Sequence, residues 1–587
     1  MENKGKEMEH REVVVSGVDQ EETVVHHDAA NDDKRFLAAA DATLREAEST
    51  WTVLKRNPRM VAVMLAVLLN GIIVGIENNM AGNMMGIQAF CRQFGHWSAA
   101  DGEYVIPPHI ISLWSACSSP FQLIGMVASG YVGDIVGRRP VLYSIILISI
   151  CGALIESFVT TWQGWLGAKI VMLLATGLMQ AGVGTYISEV APRELRGVML
   201  STFNMFMNMG NLFAVLISYG AETTWSDVMD DKGFRVSLYV CVALPVVICL
   251  AELVFLVESP SWLVMHDRHD QARSSLKWLY PKASEEQLGL FISEIEYTLA
   301  KEKELAVEAK NTSFLDCFKK TDARRSFCAI FPALSQPLCG NMLCGPYVTY
   351  FLAMVGFTNS LQVTAIILCM PPFFLENSPR SSPADVKAIG FACNIVVYFI
   401  IDNKRVGRWA ILFWGLVLMF IGDMGIGIVG SVKPDVKTSN AASGLVIFFT
   451  SVLVCGSVSG PGAVGWTYTG ESGSIRLRAK TNTLGNLGNA AVSWVFASTI
   501  SYIVTDIGLN SGYLFAGFAA VSVVITYLFI PDFTGRSFAQ VDELFSRRIP
   551  ARKFSSTEEE EEEEEEENSK SIYHLHSRRT TTYTTIK

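Results

Sequence analysis

A series of long, mostly apolar stretches is the feature that most constrains what this chain can fold into. The first, MVAVMLAVLLNGIIVGIENNM at 60–80, is long enough to cross a hydrocarbon core of ~30 Å as a helix. Eleven similar stretches follow, at 109–132, 141–159, 164–188, 199–219, 234–256, 327–354, 386–401, 409–429, 444–468, 483–504 and 512–530. The pattern predicts an all-α integral membrane protein with about twelve transmembrane helices, six on each side of a polar gap.

Polar segments set the expected domain boundaries. The chain divides into an N-terminal tail, a six-helix half, a central loop, a second six-helix half and a C-terminal tail, at 1–59, 60–256, 257–326, 327–530 and 531–587. Periodic apolar residues in the central loop predict surface helices with a charged outer face, and the N-terminal tail is expected to be disordered. The run of ten Glu at 558–567 predicts a solvated, self-repelling tail, with partner docking as the alternative.

Lys and Arg are unevenly distributed among the short loops. One set of loops carries Arg138-Arg139, Arg193 with Arg196, Lys404-Arg405 with Arg408, and Arg476, Arg478 with Lys480. The opposite loops are poor in positive charge, and the first of them holds Arg92 alone. Because positive loops favour the cytoplasmic side, we expect the central loop and both termini to be cytoplasmic. The 59 mostly polar residues ahead of the first span predict no cleavable signal peptide.

Composition excludes several classes of protein. Only 18% of residues are charged and 50% are hydrophobic, which is unlike a soluble domain, and the net charge of −10 excludes a strongly basic nucleic-acid binder. The twelve Cys form no CxxC pair, and the nine His lie mostly in polar segments, so neither a metal site nor a disulfide scaffold is expected. No P-loop, G-x-S-x-G or HExxH pattern is present, so the sequence predicts neither an enzyme nor an ATP-driven pump.

An internal repeat relates the two halves. Glu189 lies seven residues before Arg196, and Glu471 lies seven before Arg478, at an offset of 471 − 189 = 282. Gly137-Arg138 recurs as Gly407-Arg408 at an offset of 407 − 137 = 270, and the segments ESPSWL and DFTGRS begin 532 − 258 = 274 apart. Such repeats are typical of secondary transporters, whose substrate site lies at mid-membrane between the halves.

These residues carry a family resemblance that covers about 57–554. GYVGDIVGRR at 130–139 resembles the G-x-x-x-D-x-x-G-R-R loop of the major facilitator superfamily, and ESPSWL and PDFTGRS resemble the PESPRWL and PETKGRS of its sugar porters. LSQPLCGNMLCGPYVTYF at 334–351 and DELFSRRIPARKF from Asp542 resemble fungal alpha-glucoside permeases. The resemblance implies the major facilitator fold, with two six-helix pseudo-repeats, and passive or proton-coupled sugar movement by alternating access.

The chain also departs from that pattern. Ser261 replaces the Arg of PESPRWL, and Asp532, Phe533 and Thr534 replace E-T-K. Asp402 lies five residues before Gly407 instead of three, and GPGAVGW at 460–466 holds two more residues between Pro and Trp than is usual. The Pro-rich polar segment at 371–385 cannot face lipid, so it is either an outer or protein-lined loop or a mistranslated intron.

Charged residues at the loop motifs are candidates for a cytoplasmic latch. The resemblance implies ion pairs that hold the two halves shut on the inside and break when the inside opens. The candidate gating residues are Asp134, Arg138, Arg139, Glu189, Arg196, Arg408, Glu471 and Arg478. Ordinary positive-inside topology is the alternative, and it explains the Arg residues but not the acids.

Glu77 is an acid within the first apolar span, where an ionised carboxylate is costly, so a function is the default expectation. The resemblance places Glu77 where proton-using sugar porters carry an acid, and Lys169 where many carry an Arg in the fourth helix. In such a pair, the acid could bind a proton when it loses its contact with the Lys. A proton is therefore the expected coupling ion, and no cofactor is expected. The alternatives are a solvent-facing Glu77 and an interfacial Lys169.

A sugar needs several hydrogen-bonding partners and an aromatic face in a mostly apolar cleft. The substrate-binding candidates that the resemblance supplies are Gln180, Asn204, Asn211, Gln336, Asn341, Tyr347, Tyr350, Trp466 and Trp494. Asn204 and Asn211 share one helix face because they are seven residues apart. Asn208 and Asn211 could instead join helices in lipid, and single Tyr or Trp residues near span ends are commonly interface anchors.

The sequence therefore predicts a secondary active sugar transporter of the plasma membrane, a proton symporter of alpha-glucosides or other oligosaccharides. Its expected partners are a small-molecule sugar and the lipid bilayer, and no nucleic acid. One alternative is a transport-inactive sugar sensor that signals through its tail. Another is a porter of the same fold that carries a polyol, a quinate-like acid or a metabolite. The oligomeric state and the identity of the sugar stay open.

Overall fold

The structure is a computed structural model of the 587-residue chain. It describes residues 54–99, 102–225, 227–310, 313–344, 352, 407–432, 440–473, 477–533, 544–545, 547 and 550–553. Within these ranges the chain is helical apart from loops and one short antiparallel hairpin, in which strands β1 (His96–Ser98) and β2 (Glu103–Val105) pair Trp97 with Tyr104.

Among its described residues, the first half of the chain consists of nine helices of varying length, joined by short loops and the β1–β2 hairpin. They are α1 (Pro58–Leu68), α2 (Asn70–Met84), α3 (Gln88–Phe94), α4 (Pro108–Ala116), α5 (Ser118–Val136), α6 (Arg138–Phe158), α7 (Trp162–Val190), α8 (Arg193–Thr224) and α9 (Lys232–Phe255). Three shorter or more polar helices follow, α10 (Pro260–Met265), α11 (His269–Leu279) and α12 (Glu285–Lys310).

The second half is described in two blocks. The first block holds a 3₁₀ turn at Phe314–Phe318, α13 (Lys320–Leu338) and α14 (Asn341–Cys344). The second holds α15 (Arg408–Val432), α16 (Asn440–Ser457), a π-helical turn at Val458–Gly462, α17 (Ala463–Glu471), α18 (Arg478–Ile507) and α19 (Ser511–Phe529), with 3₁₀ turns at Gly508–Asn510 and Ala551–Lys553.

The predicted spans agree with the observed helices wherever the chain is described. Nine stretches of the described residues are long and apolar enough to cross a membrane, and one of them, the 50-residue stretch Lys480–Phe529, covers α18 from Lys480 onwards and all of α19. The predicted span at 386–401 lies outside the described residues, as do 345–351 and 353–354 of the span at 327–354. The all-α class expected from the sequence is confirmed.

Glycines allow the helices of each half to approach closely. A Cβ at Gly75 of α2 would lie 1.9 Å from the carbonyl oxygen of Met207 in α8, and one at Gly210 would lie 2.2 Å from that of Ile72. In the second half, a Cβ at Gly415 of α15 would lie 2.3 Å from the Cα of Gly460. Backbones that touch in this way hold membrane helices together, because lipid supplies no hydrophobic force between them.

The end of the second span repeats in the two halves. Gly137 between α5 and α6 has φ of +111°, and a Cβ there would lie 2.7 Å from Oε2 of Glu258. Gly407 before α15 has φ of +69°, and a Cβ there would lie 2.4 Å from Oδ2 of Asp532. Both turns have a positive φ, which favours glycine, and in each an acid that follows the same half lies against the glycine.

A tyrosine contact repeats in the same way. The hydroxyl of Tyr186 in α7 donates to the carbonyl oxygen of Val257 at 2.8 Å, and that of Tyr468 in α17 donates to the carbonyl of Pro531 at 2.9 Å. The tyrosines are 468 − 186 = 282 apart and their acceptors 531 − 257 = 274 apart, the offsets of the sequence repeat. The two halves therefore share local geometry as well as sequence landmarks.

Helices α10 to α12 cover the end of the first half that carries Asp134, Arg138 and Glu189, which we call the basic face. Ser259 caps α10 by accepting a hydrogen bond from the backbone nitrogen of Trp262 at 3.2 Å. The Trp262 indole donates to the carbonyl oxygen of Asp134 at 3.0 Å, which fixes α10 against α5.

Candidate functional site

A buried charged cluster of three side chains occupies the first half, and we call it the triad. Lys169 of α7 donates a 2.5 Å hydrogen bond from Nζ to Oε1 of Glu77 in α2. The same nitrogen lies 3.2 Å from Oε1 of Glu156 in α6, with the geometry of an ion pair rather than a hydrogen bond. Glu77, Glu156 and Lys169 are 6%, 2% and 4% exposed, so all three charges are removed from solvent.

Aromatic side chains make the surroundings of the triad dry. Lys169 Nζ lies 5.4 Å from the centre of the Trp165 ring, one turn earlier on α7, in a cation–π arrangement. The Trp165 ring in turn packs against Phe90, Phe94 and Trp114, with ring centres 5.0 to 6.2 Å apart. In this low-dielectric environment each charge depends strongly on its neighbours.

The amide candidates of the first half divide into two groups. Asn211 of α8 accepts a 2.7 Å hydrogen bond from Nδ2 of Asn79 in α2, so its side chain joins two helices. Asn204 is exposed and its backbone carbonyl accepts from Nδ2 of Asn208, whereas Gln180 is half-buried in α7. Their role in substrate binding stays a prediction.

A second polar cluster lies one residue beyond Glu77. Gln122 of α5 donates from Nε2 to Oδ1 of Asn78 at 3.2 Å and lies 3.4 Å from Oγ1 of Thr176 in α7. It links α2, α5 and α7, the helices that also carry or contact the triad.

The candidates of the second half gather at a break in its first span. Helix α13 ends before Gly340, whose φ is +83°, and α14 begins at Asn341. Asn341 accepts a 2.7 Å hydrogen bond at Oδ1 from Ser457, just before the π-helical turn. Gln336 is half-buried, with its amide nitrogen 2.8 Å from where a Cβ on Gly462 would lie. A Cβ at 462 would also lie 2.7 Å from the carbonyl oxygen of Ser457, so the backbone itself leaves room only for glycine there.

The aromatic candidates are more exposed. Trp466 and Trp494 are 43% and 45% exposed. The Trp494 indole donates to the carbonyl oxygen of Ala116 at 2.7 Å, which is a contact between the halves. Tyr347 and Tyr350 lie outside the described residues.

Three gating candidates of the first half, Asp134, Arg138 and Glu189, form one ion-pair network. Arg138 at the start of α6 contacts Glu189 at 2.7 Å and Asp134 at 2.8 Å. The backbone nitrogens of Arg138 and Arg139 donate to Glu258 at 2.8 and 3.1 Å. These contacts lie within one half, and whether they gate transport stays a prediction.

The remaining gating candidates are Arg196, Arg408, Glu471 and Arg478. Arg196 is exposed on α8, and Arg408 is half-buried at the start of α15. The backbone of Glu471 and Arg478 belongs to α17 and α18, but their side chains lie outside what the structure describes.

A pocket of about 1120 Å³ opens at the basic face. It is lined by Asp134, Arg138, Glu189, Trp262 and residues of α11 and α12. It lies beside the helix ends, away from the triad, so it does not match the mid-membrane cleft expected for a sugar.

The two halves touch at the end opposite the basic face, which we call the opposite face. Three hydrogen bonds join α4 to α18: Trp494 donates to the carbonyl of Ala116, Ser501 donates to the carbonyl of Pro108 at 3.2 Å, and Ser112 donates to the carbonyl of Ser498. The halves are therefore in contact at this face.

Sequence reasoning missed three buried acids within apolar spans. Glu156 was passed over in the stretch 141–159, although the test applied to Glu77 also selects it. Glu252 of α9 is fully buried and accepts a 2.5 Å hydrogen bond from the amide of Asn70. Asp423 of α15 is fully buried, and among described residues neither carboxylate oxygen has a hydrogen-bond partner.

Comparison with known sequences gives matches over most of the chain. The sequence model of the family "Sugar (and other) transporter" matches residues 60–375 and 384–545. A general alpha-glucoside permease of Saccharomyces cerevisiae is 28% identical over 559 residues, which cover 91% of this chain and 82% of the permease. A protein of Aspergillus fumigatus named MFS transporter fmqE is 26% identical over 562 residues, which cover 92% of this chain and 98% of the relative.

Comparison with solved structures identifies the fold. The inward open conformation of the xylose transporter XylE from E. coli superposes with a TM-score of 0.63 at 15% sequence identity, covering 83% of this chain and 99% of XylE. A crystal structure of a D-xylose-proton symporter superposes with a TM-score of 0.57 at 16% identity. The expected major facilitator fold is confirmed.

Proposed function

This chain belongs to the Sugar (and other) transporter family of the major facilitator superfamily, and on that premise we propose that it carries an alpha-glucoside or related oligosaccharide into the cell together with a proton. It is a multi-pass membrane transporter and not an enzyme, as its permease relatives are. We place it in the plasma membrane, with the basic face towards the cytoplasm because positive loops favour that side.

The buried contact between Glu77 and Lys169 carries the proposal of proton coupling. An ionised acid inside a membrane-spanning helix is costly unless it has a function or a partner, and Glu77 has its partner at 2.5 Å. While the two side chains are together, Lys169 supplies the counter-charge of Glu77. When helix movement separates them, the isolated carboxylate takes up a proton, so proton binding follows the conformation of the half.

The contact at the opposite face supports alternating access. With the halves joined between α4 and α18, a substrate in the cleft between them exits towards the basic face. Separation at the opposite face and closure at the basic face would complete the cycle. The network of Asp134, Arg138 and Glu189 lies where such closure would occur.

The substrate class rests on the relatives and on the polar groups of the second half. Several relatives are named alpha-glucoside permeases, whereas one is named only as an MFS transporter. Gln336 and Asn341 lie at the helix break of α13 and α14, where amides can donate to and accept from sugar hydroxyls.

Uptake of labelled sugars by a yeast strain without its own sugar transporters tests the proposal. We expect one or more alpha-glucosides to accumulate against a gradient while the external medium becomes more alkaline. Glu77→Gln should abolish accumulation, because no charge cycle remains for the membrane potential to drive at ~2.3 kcal/mol per charge per 100 mV. Exchange of labelled for unlabelled sugar should persist, because the amide keeps the shape of the side chain.

Two outcomes would contradict the proposal. If wild-type protein at the cell surface moves none of a panel of alpha-glucosides, polyols and organic acids, the sensor alternative replaces it. If Glu77→Gln still concentrates sugar and consumes external protons, Glu77 is not the coupling acid.

A further inference from the structure

Lys169 has two acidic partners where a simple ion pair would have one. Its hydrogen bond goes to Glu77 and its second, longer contact of 3.2 Å goes to Glu156. The two acids come from different helices, α2 and α6, and approach the same ammonium group. Glu156 is buried to 2% exposure, and its Oε1, which faces Lys169, has no hydrogen-bond partner among the described residues.

The charges of the triad do not balance when all three groups are ionised. Two carboxylates and one ammonium leave a formal charge of −1 in a site lined by aromatic rings. One bound proton makes the cluster neutral. A neighbouring negative charge favours the protonated form of a carboxyl group, so the second acid favours uptake of one proton.

A simple pair would behave differently. In a Glu77–Lys169 pair without Glu156, protonation of Glu77 would leave an unpaired ammonium in a dry interior, which is strongly unfavourable. Glu156 removes that cost because Lys169 keeps a counter-charge whether Glu77 is ionised or protonated.

We propose that Glu156 is the standby counter-ion of Lys169, which holds the ammonium in place while Glu77 binds and releases the coupling proton. This inference rests on the proposed proton symport. Glu156 is thus a positioning residue that sets the external pH at which the transporter loads its proton.

Other charged or titratable groups near Glu156 stay the same in the tests below. Cys241 of α9 is within electrostatic range of both acids and of Lys169. Arg235 of α9 donates to the carbonyl oxygen of Ser157 at 2.7 Å and lies 3.8 Å from Asp231. Neither of these two Arg235 contacts involves the Glu156 carboxylate.

The test is the dependence of proton-coupled sugar uptake on external pH. Glu156→Gln removes one negative charge and leaves a balanced Glu77–Lys169 pair, which is harder to protonate. Half-maximal uptake should therefore move to lower pH by about one unit or more, while sugar exchange persists. Glu252→Gln is the matched control, since Glu252 is equally buried but bonds to the neutral amide of Asn70, and its profile should remain that of wild type.

A wild-type pH profile for Glu156→Gln, or an equal shift for Glu252→Gln, would overturn the proposal. If Glu156→Gln does not reach the membrane, Glu156→Asp replaces it. The shorter acid loosens the 3.2 Å contact and should give a smaller shift in the same direction, and no shift would again refute the role.

Infrared difference spectra of purified protein separate this inference from the symport proposal. In wild type, the band of a protonated buried carboxyl should appear on acidification without any sugar present. The band should vanish in Glu77→Gln and appear only at lower pH in Glu156→Gln. A band that titrates as in wild type in Glu156→Gln refutes the inference, whatever the uptake assays show.

Discussion

The two halves share a framework but differ in what that framework buries. The positions equivalent to Glu156 and Lys169, by the repeat offsets, are 156 + 270 = 426 and 169 + 282 = 451. These are Ile426 and Ser451, both buried, and the Ser451 hydroxyl bonds to the carbonyl oxygen of Ile447 in its own helix. The first half thus has charges where the second has an apolar group and a satisfied hydroxyl.

The difference indicates that the two halves are suited to different tasks. Ions in a dry interior fix side-chain geometry and respond to protons, which suits the first half to energy coupling. The second half instead contains a broken span at Gly340, a π-helical turn at Val458–Gly462 and neutral amide contacts. Such helix irregularities frequently occur at functional sites.

The largest expected effect comes from removing the charge that the second half lacks. Lys169→Met leaves two buried acids without a counter-ion, and losing one partner of a buried ion pair typically costs about 3–5 kcal/mol. We expect proton-coupled accumulation to fall below detection. Lys169→Arg keeps the charge and should retain transport within several-fold, measured as initial uptake normalised to surface protein.

Ser451→Ala is the matched change in the second half. It removes a neutral hydroxyl whose bond is local to α16, so accumulation should remain within about twofold of wild type, as expected for a neutral hydrogen bond worth about 1 kcal/mol or less. Equal losses in Lys169→Met and Ser451→Ala would break the comparison between the halves.

An intermediate effect is expected at the two repeated glycine turns. Gly137 has φ of +111° and ψ of +166°, a region open essentially to glycine alone, whereas Gly407 has φ of +69°, which other residues adopt at moderate cost. Gly137→Ala should therefore lower the free energy of unfolding in detergent by about 1–3 kcal/mol, and Gly407→Ala by about 1–2 kcal/mol. Thermal unfolding of the two variants measures this difference. The reverse order would show that the acid contact, which is shorter at Gly407, dominates over backbone strain.

Apart from the Ser451→Ala control, the smallest effect concerns the neutral contact between Asn341 and Ser457. If Asn341 bonds a sugar hydroxyl, Asn341→Ala should raise the half-saturation constant about tenfold, since a buried hydrogen-bond partner is worth about 1–3 kcal/mol. Ser457→Ala leaves the Asn341 amide in place and should raise the half-saturation constant less than threefold. Equal effects would assign Asn341 to packing.

Most of the fold could be predicted from the sequence because membrane insertion is a local property. A span needs only about twenty apolar residues, so helices such as Trp162–Val190 follow from composition alone. The repeat was also visible, since it rests on residues such as Gly137 and Glu258 whose chemistry is required by one tight turn.

The triad could only be half predicted. Glu77 and Lys169 stand out as ions in apolar stretches, but the approach of Glu156 depends on which faces of α6 and α7 pack together. That choice is made by tertiary contacts over the whole half and leaves no local pattern. Glu156 itself was visible within its span, but its contact with Lys169 was not.

The hydrogen bonds at the opposite face have a consequence for how the environment reaches the transporter. Their donors are two hydroxyls and an indole, and their acceptors are backbone carbonyls of Ala116, Pro108 and Ser498. None of these groups changes charge at physiological pH, and contacts between neutral groups are little affected by salt. In the proposed orientation this face meets the external medium, so changes in external pH or salt should leave these three hydrogen bonds unchanged, and external protons should act on the transporter at the triad instead.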